Sequence, residues 1–154
     1  MLNLKQFKTL VSSTLDSVDL GGQIAVNLVF GTALQESNLH YLTQLNGPAV
    51  SLFQVEPLTY LDIRHRLCMH LPLRQKILTA LYLTEIPEDA NFLIGNVSLA
   101  IIICRLKYFL DSRPMPTSND PALLAQYYKT IYNTCFGKAA IDMITKNMQV
   151  AVNT

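Results

Sequence analysis

Among the eleven acidic residues of this chain, Glu36 has the surroundings best suited to proton chemistry. It closes the run Gly31–Thr32–Ala33–Leu34–Gln35–Glu36–Ser37, at the C-terminal end of a segment that is apolar on nearly every side. A carboxyl group against a low-dielectric core is pushed toward its neutral form, and the negative end of a helix macrodipole acts in the same direction. A carboxylic acid that stays protonated near neutral pH can donate to a leaving oxygen, as cleavage of a glycosidic bond requires. The competing reading is a solvated glutamate at a helix end, the ordinary fate of such residues. Glu56, just before Pro57, is the nearest second carboxylate for a two-carboxylate glycosidase scheme. It equally suits a structural place at the start of the next helix, near the positive end of the macrodipole.

Other reactive side chains lack a constellation. His40, His65 and His70 have no metal-ligand spacing, since 65 and 70 lie five apart, off the i, i+4 face of a helical site. No metal and no cofactor is expected. Cys68, Cys104 and Cys135 are widely spaced with no CxxC pair, so reduced, buried packing thiols are expected rather than disulfides or nucleophiles. Tyr41, Tyr60, Tyr127, Tyr128 and Tyr132 could stack on sugar rings or simply pack helices. Arg64–His65–Arg66 and Arg105–Leu106–Lys107 read as solvated faces, with Arg105 able to contact carboxylates of a ligand.

The elements that must position these groups are helical almost throughout. Leu4, Phe7, Leu10, Val11, Leu15 and Val18 recur at three- and four-residue steps, and Asp19–Leu20–Gly21–Gly22 ends that amphipathic helix. The segment from Gln23 to about Ser37 predicts a helix enclosed on all sides. Asn46–Gly47–Pro48 is turn chemistry, and a short hairpin near 45–55 is compatible with it. A short helix is expected after Pro57 with Thr59 as its cap and Asp62 three residues on. Further helices are expected over Leu73–Leu83, Asp89–Asp111, about 121–134 and 138–150, with a loop from Arg113 to Asn119 and Asp120–Pro121 as cap and first turn. The expectation is one all-α domain spanning 1–154.

Composition narrows the function. Half of the residues are hydrophobic, 15% are charged, and the formal net charge is +1. A near-neutral surface excludes a dedicated nucleic-acid binder, and the apolar content excludes a disordered tail. The N-terminal residues show no signal peptide, and no apolar run reaches the ~20 residues of a membrane span, so synthesis in the cytoplasm without membrane insertion is expected. A charged fraction well below the usual ~25% fits a surface that faces other protein subunits.

Three segments, GTALQES (31–37), GPAVSLFQVEP (47–57) and YYKTIYNT (127–134), resemble the lysozyme-like lytic transglycosylases. They are most similar to the small phage-encoded, virion-associated members, and the likeness runs in order from about Asp19 to Lys138. It implies a lysozyme-like fold around a central buried helix, with Glu36 as the single general acid/base. It also implies Ser37 as the adjacent hydroxyl and Gln54 as the amide of the sugar groove, with Phe53 at the family's methionine position. Asn96 would be the helix asparagine behind the site, and Tyr132–Asn133 the pair whose phenol points toward the catalytic carboxyl. Ser51 stands where the family has glycine, and Gly137 comes later than the glycine that usually follows Tyr-Asn.

The implied activity is peptidoglycan cleavage by a phage enzyme carried in the virion, with glycan strands and other phage structural proteins as partners. Glu36 would protonate the glycosidic oxygen and then accept the proton of the C6 hydroxyl as a 1,6-anhydro ring closes. Hydrolysis assisted by Glu56 is the minor branch. The alternative is a structural subunit of a phage particle or tail that keeps the fold with weak or no turnover.

Overall fold

Asn3 accepts a hydrogen bond from the Gln6 amide at 3.0 Å and so caps α1 (Leu4–Asp16), whose buried face carries Phe7, Val11 and Leu15. The computed structural model describes residues 2–133 and 140–154 of the chain. After α1 the backbone reverses through Asp19 (φ 56°) and Gly22 (φ 97°), and the second value is one that glycine adopts without a Cβ penalty. There α2 (Gln23–Ser37) begins, at the residue expected from the sequence, and every residue from Ala25 to Leu34 is buried.

Helix α2 is the centre of the molecule. It packs against α1, α6 (Val97–Phe109), α7 (Pro121–Tyr128) and α8 (Ile141–Asn153). Gly31 lets α8 approach closely, because a Cβ there would collide with the Met148 sulfur. Burial of Leu28, Val29, Phe30 and Ala33 against Ile101, Ile102, Ile103, Ile144 and Met148 forms one continuous apolar core. Each fully buried large side chain contributes about 1.5–3 kcal/mol through removal of apolar surface from water.

Helices α3 (Pro57–Leu67) and α4 (Leu71–Leu81) cover one side, and α3 packs on α6. Glu56, not Thr59, occupies the N-cap position of α3, since Pro57 pre-sets the first helical turn. The expected helix over 89–111 is two helices. A single turn, α5 (Phe92–Gly95), stops at Asn96 (φ −119°, ψ 86°), whose side chain accepts from Leu99 N at 2.8 Å to start α6. Asp120 caps α7 by accepting from Ala122 N at 2.8 Å, with Pro121 in the first turn. The last turns before residue 134 widen into a π-helical segment, Lys129–Asn133.

The chain is all-α among the described residues. Around 45–55, where the turn chemistry allowed a short hairpin, isolated antiparallel bridges join Thr43 to Val50 and Val50 to Val55. Among the described helices none is long and apolar enough to cross a membrane. Cys104 is buried, whereas Cys68 is exposed, contrary to expectation, because it follows the last turn of α3 at the surface. Cys135 and Gly137 lie outside the described residues.

Candidate active site

Glu36 sits where α2 leaves the core. The helix ends at Asn38, which takes a left-handed conformation (φ 47°) and donates its amide to Leu34 O at 3.0 Å. This stop leaves the Glu36 carboxyl half-buried at the helix C-terminus. The Tyr128 hydroxyl donates a hydrogen bond to Glu36 Oε1. Burial raises the Glu36 pKa above its ordinary value; the Tyr128 bond and the Lys107 charge pull it down, and burial wins. The group is a carboxylic acid biased toward its protonated form, with a phenol and an ammonium ready to stabilise its carboxylate.

Glu36 opens onto a cleft of about 350 Å³ shared by Gln54, Glu56, Lys107, Tyr132 and Asn133, with Gln44, Ala49 and Thr59 completing its walls. Residues expected to serve the site from three separate stretches of sequence, 31–37, 47–57 and 127–134, therefore meet in one place. Gln54 is held at φ 47° and its amide nitrogen donates to Ser51 O at 2.8 Å. Glu56 makes no side-chain capping bond to α3 and is exposed within the cleft, so capping does not account for its carboxylate.

Lys107 reaches the cleft from the last turn of α6. Its Nζ donates to Tyr132 O at 3.1 Å and lies 4.0 Å from the centre of the Tyr132 ring. Such a cation over an aromatic face is favoured by the ring quadrupole. Burial lowers the Lys107 pKa, and Cys104, Glu36 and Glu56 act to raise it.

The contact with Glu36 expected of Tyr132 is made by Tyr128. Tyr132 donates its hydroxyl to Phe53 O at 2.8 Å, not to Glu36. Tyr128, one turn earlier, makes the bond to Glu36, and its ring stacks on Tyr132 at 5.6 Å with 15° between planes. Asn133 Nδ2 approaches the Tyr128 hydroxyl at 3.5 Å, the outer limit of a hydrogen bond. The widened turn explains the set. With i→i+5 spacing it brings Tyr128 and Asn133 to one side, while Tyr132 is directed at the 50–55 loop.

Three residues named from the family pattern do not line the cleft. Ser37 is buried and ties α2 to the loop by donating to Leu52 O at 2.8 Å. Phe53 is fully buried, and its carbonyl rather than its ring serves the neighbourhood. Asn96 caps α6, eleven residues before Lys107, or about 16 Å along the helix axis, so it stands away from the cleft.

Ser51 occupies a position with φ 69°, a conformation that favours glycine. It is buried, and its hydroxyl accepts from Phe53 N at 3.2 Å, so it braces the turn without narrowing the cleft. Arg105 is also buried, with Nε donating to Leu20 O at 3.1 Å, and is not a solvated group free for a ligand.

The sequence reading missed two contributors, Tyr128 and Lys107. The signal for Tyr128 is a second tyrosine one turn before Tyr132, whereas Lys107, expected with Arg105 on a solvated face, is instead half-buried in the wall of the cleft. Among the described residues no cluster of His, Cys, Asp and Glu is able to hold a metal ion. No known protein family, curated protein or solved structure matches this chain.

Proposed function

We propose that this protein is a lysozyme-like lytic transglycosylase that cleaves the glycan strands of peptidoglycan, with Glu36 as its general acid and then base. The observation that carries this reading is the half-buried Glu36 carboxyl, biased toward its protonated form, in a cleft with Gln54, Glu56 and Lys107. General acid catalysis needs an acid whose proton is retained near working pH and a nearby means of stabilising its conjugate base. Burial supplies the first, and the Tyr128 hydroxyl with Lys107 supplies the second.

In the proposed cycle, Glu36 donates its proton to the glycosidic oxygen beyond N-acetylmuramic acid as the C1–O bond breaks. The acetamido oxygen of the sugar stabilises the charge at C1. The Glu36 carboxylate then accepts the C6 hydroxyl proton as O6 bonds to C1, which restores the acid and leaves a 1,6-anhydro end. Glu56 in the same cleft gives a hydrolytic branch a structural basis, with water delivered in place of O6.

The test is incubation of the protein with purified sacculi and mass analysis of released muropeptides. The expected products carry 1,6-anhydro ends, and Glu36→Gln lowers their rate by about 10²–10⁴-fold. Reducing ends that disappear in Glu56→Gln would assign hydrolysis instead. Undiminished cleavage by Glu36→Gln would refute the assignment.

A virion location is proposed on separate grounds. Only 15% of the residues are charged, against a usual ~25%, and apolar side chains such as Leu45, Leu58 and Tyr82 stand in solvent. They favour burial against other phage structural proteins, and they are the specific support for the second reading, a structural subunit with little turnover. Mass spectrometry of purified particles should find the chain at a fixed copy number; its absence from particles would remove both the location and the second reading.

A further inference from the structure

We infer that Lys107 is a positioning residue shared between the two carboxylates of the cleft, holding the Glu36 carboxylate between its two proton transfers while Glu56 restrains the same ammonium. The inference deepens the catalytic reading of Glu36, on which its role in turnover rests.

Geometry is the first support. Lys107 is the one cation among the described residues that line the Glu36 cleft. Its Nζ donates to Tyr132 O at 3.1 Å and lies 4.0 Å from the centre of the Tyr132 ring. A flexible lysine held at two points keeps its charge in place, so little side-chain freedom remains to be lost when the carboxylate forms. Position along the groove is the second support. Lys107 and Thr59 line both the Glu36 cleft and an adjoining cavity of about 390 Å³ that continues over α3. The ammonium thus stands at the junction of the two cavities.

Among the described residues, the charges facing Lys107 come from several elements. Glu36 lies on α2 and Glu56 before α3. Asp62 and Arg66 on α3 and Asp111 after α6 line the adjoining cavity. Tyr132 and, behind Glu36, Tyr128 close the core side, and Cys104 precedes it by one turn on α6. Asp62 pairs with Arg66 at 3.8 Å and Asp111 with Arg113 at 2.6 Å, so both carboxylates already have cations of their own. Among the described residues Glu36 and Glu56 remain as the partners that Lys107 divides between.

The experiment follows the Glu36 side-chain carboxyl by carbon NMR across pH in the free protein, with thermal melts confirming the fold. Lys107→Met should favour the protonated form of Glu36 by at least about threefold at fixed pH, because an opposite charge has been removed. Lys107→Arg should hold the titration near the parent, and Glu56→Gln should move it the other way. Lys107→Gln keeps a donor for Tyr132 O and serves if Lys107→Met fails to fold. In sacculus assays the high-pH limb of kcat/KM should follow the same order. An unmoved Glu36 titration in folded Lys107→Met and Lys107→Gln overturns the inference. Because the titration needs no turnover, a protein that shows the shift without cleaving sacculi would defeat the activity reading and leave the charge linkage standing.

Discussion

Between Ala25 and Leu34 every residue of α2 is buried, with ordinary helical hydrogen bonds and apolar neighbours. The segment that follows, 38–55, places five non-glycine residues at positive φ: Asn38, Leu39, Asn46, Ser51 and Gln54. A left-handed backbone costs an L-residue about 1–2 kcal/mol. In the helix, order comes from apolar area and would survive many changes of side chain. In the loop it comes from individual bonds: Ser37 to Leu52 O, Tyr132 to Phe53 O, Gln54 to Ser51 O and Phe53 N to the Ser51 hydroxyl. The contrast places a strained, bond-held wall beside a carboxyl carried by the central buried helix. Strain held at one wall of a cleft is a common property of sites that must present polar groups in fixed directions.

The contrast breaks first in the core. Phe30→Ala removes a fully buried ring, and urea unfolding should show a loss of about 3–5 kcal/mol. The two tyrosines sharpen it. Tyr132→Phe leaves the Phe53 carbonyl without its donor and should cost about 1–3 kcal/mol in thermal or urea unfolding. Tyr128→Phe should instead raise the Glu36 titration midpoint, since a hydrogen bond to the charged form is lost. Carboxyl NMR on both variants distinguishes the brace from the charge partner.

Ser51 tests the strain itself. Ser51→Ala keeps φ 69° and loses the bond from Phe53 N, so stability should fall by about 0.5–1.5 kcal/mol. Ser51→Gly loses the same bond but relieves the backbone, and its melting temperature should stay close to the parent. Equal destabilisation by both would show that the positive φ carries no strain.

The smallest effect has the opposite sign. Because the folded pKa of Glu36 lies above its ordinary 4.5, the native state binds more protons than the unfolded chain between those two values. Stability therefore falls as pH rises through that window and is flat above it. Glu36→Gln should abolish the fall and raise the melting temperature at pH 7, by about 2–4 °C for each kcal/mol of burial penalty relieved. A melting curve that keeps the parent's pH dependence would place the titrating group elsewhere.

Much of the helical pattern was legible. The limits of α2, the Asp120–Pro121 start of α7 and the break at Asp19–Gly22 follow from periodicity and turn chemistry that act within a few residues. The break at Gly95–Asn96 was hidden because apolar residues continue on both sides of it, and the cap is a single side chain. The N-cap position of α3 falls at Glu56, without a side-chain capping bond, and not at Thr59, because Pro57 sets φ two residues earlier. Arg105 was misread as solvated since its partner, Leu20 O, is 85 residues away.

The order of Glu36, Gln54, Glu56, Tyr132 and Asn133 along the chain, and the placement of Glu36 at the end of a buried helix, were determined by the sequence itself. Local propensity and apolar patterning suffice for that, because they act over one or two helical turns. Which tyrosine meets Glu36 was decided only by the tertiary structure. So were the entry of Lys107 into the cleft and the availability of Glu56 there. The bonds Tyr128–Glu36 and Tyr132–Phe53 span 92 and 79 residues. Their pairing depends on how the π-helical turn rotates successive side chains, and no one-dimensional pattern carries that rotation.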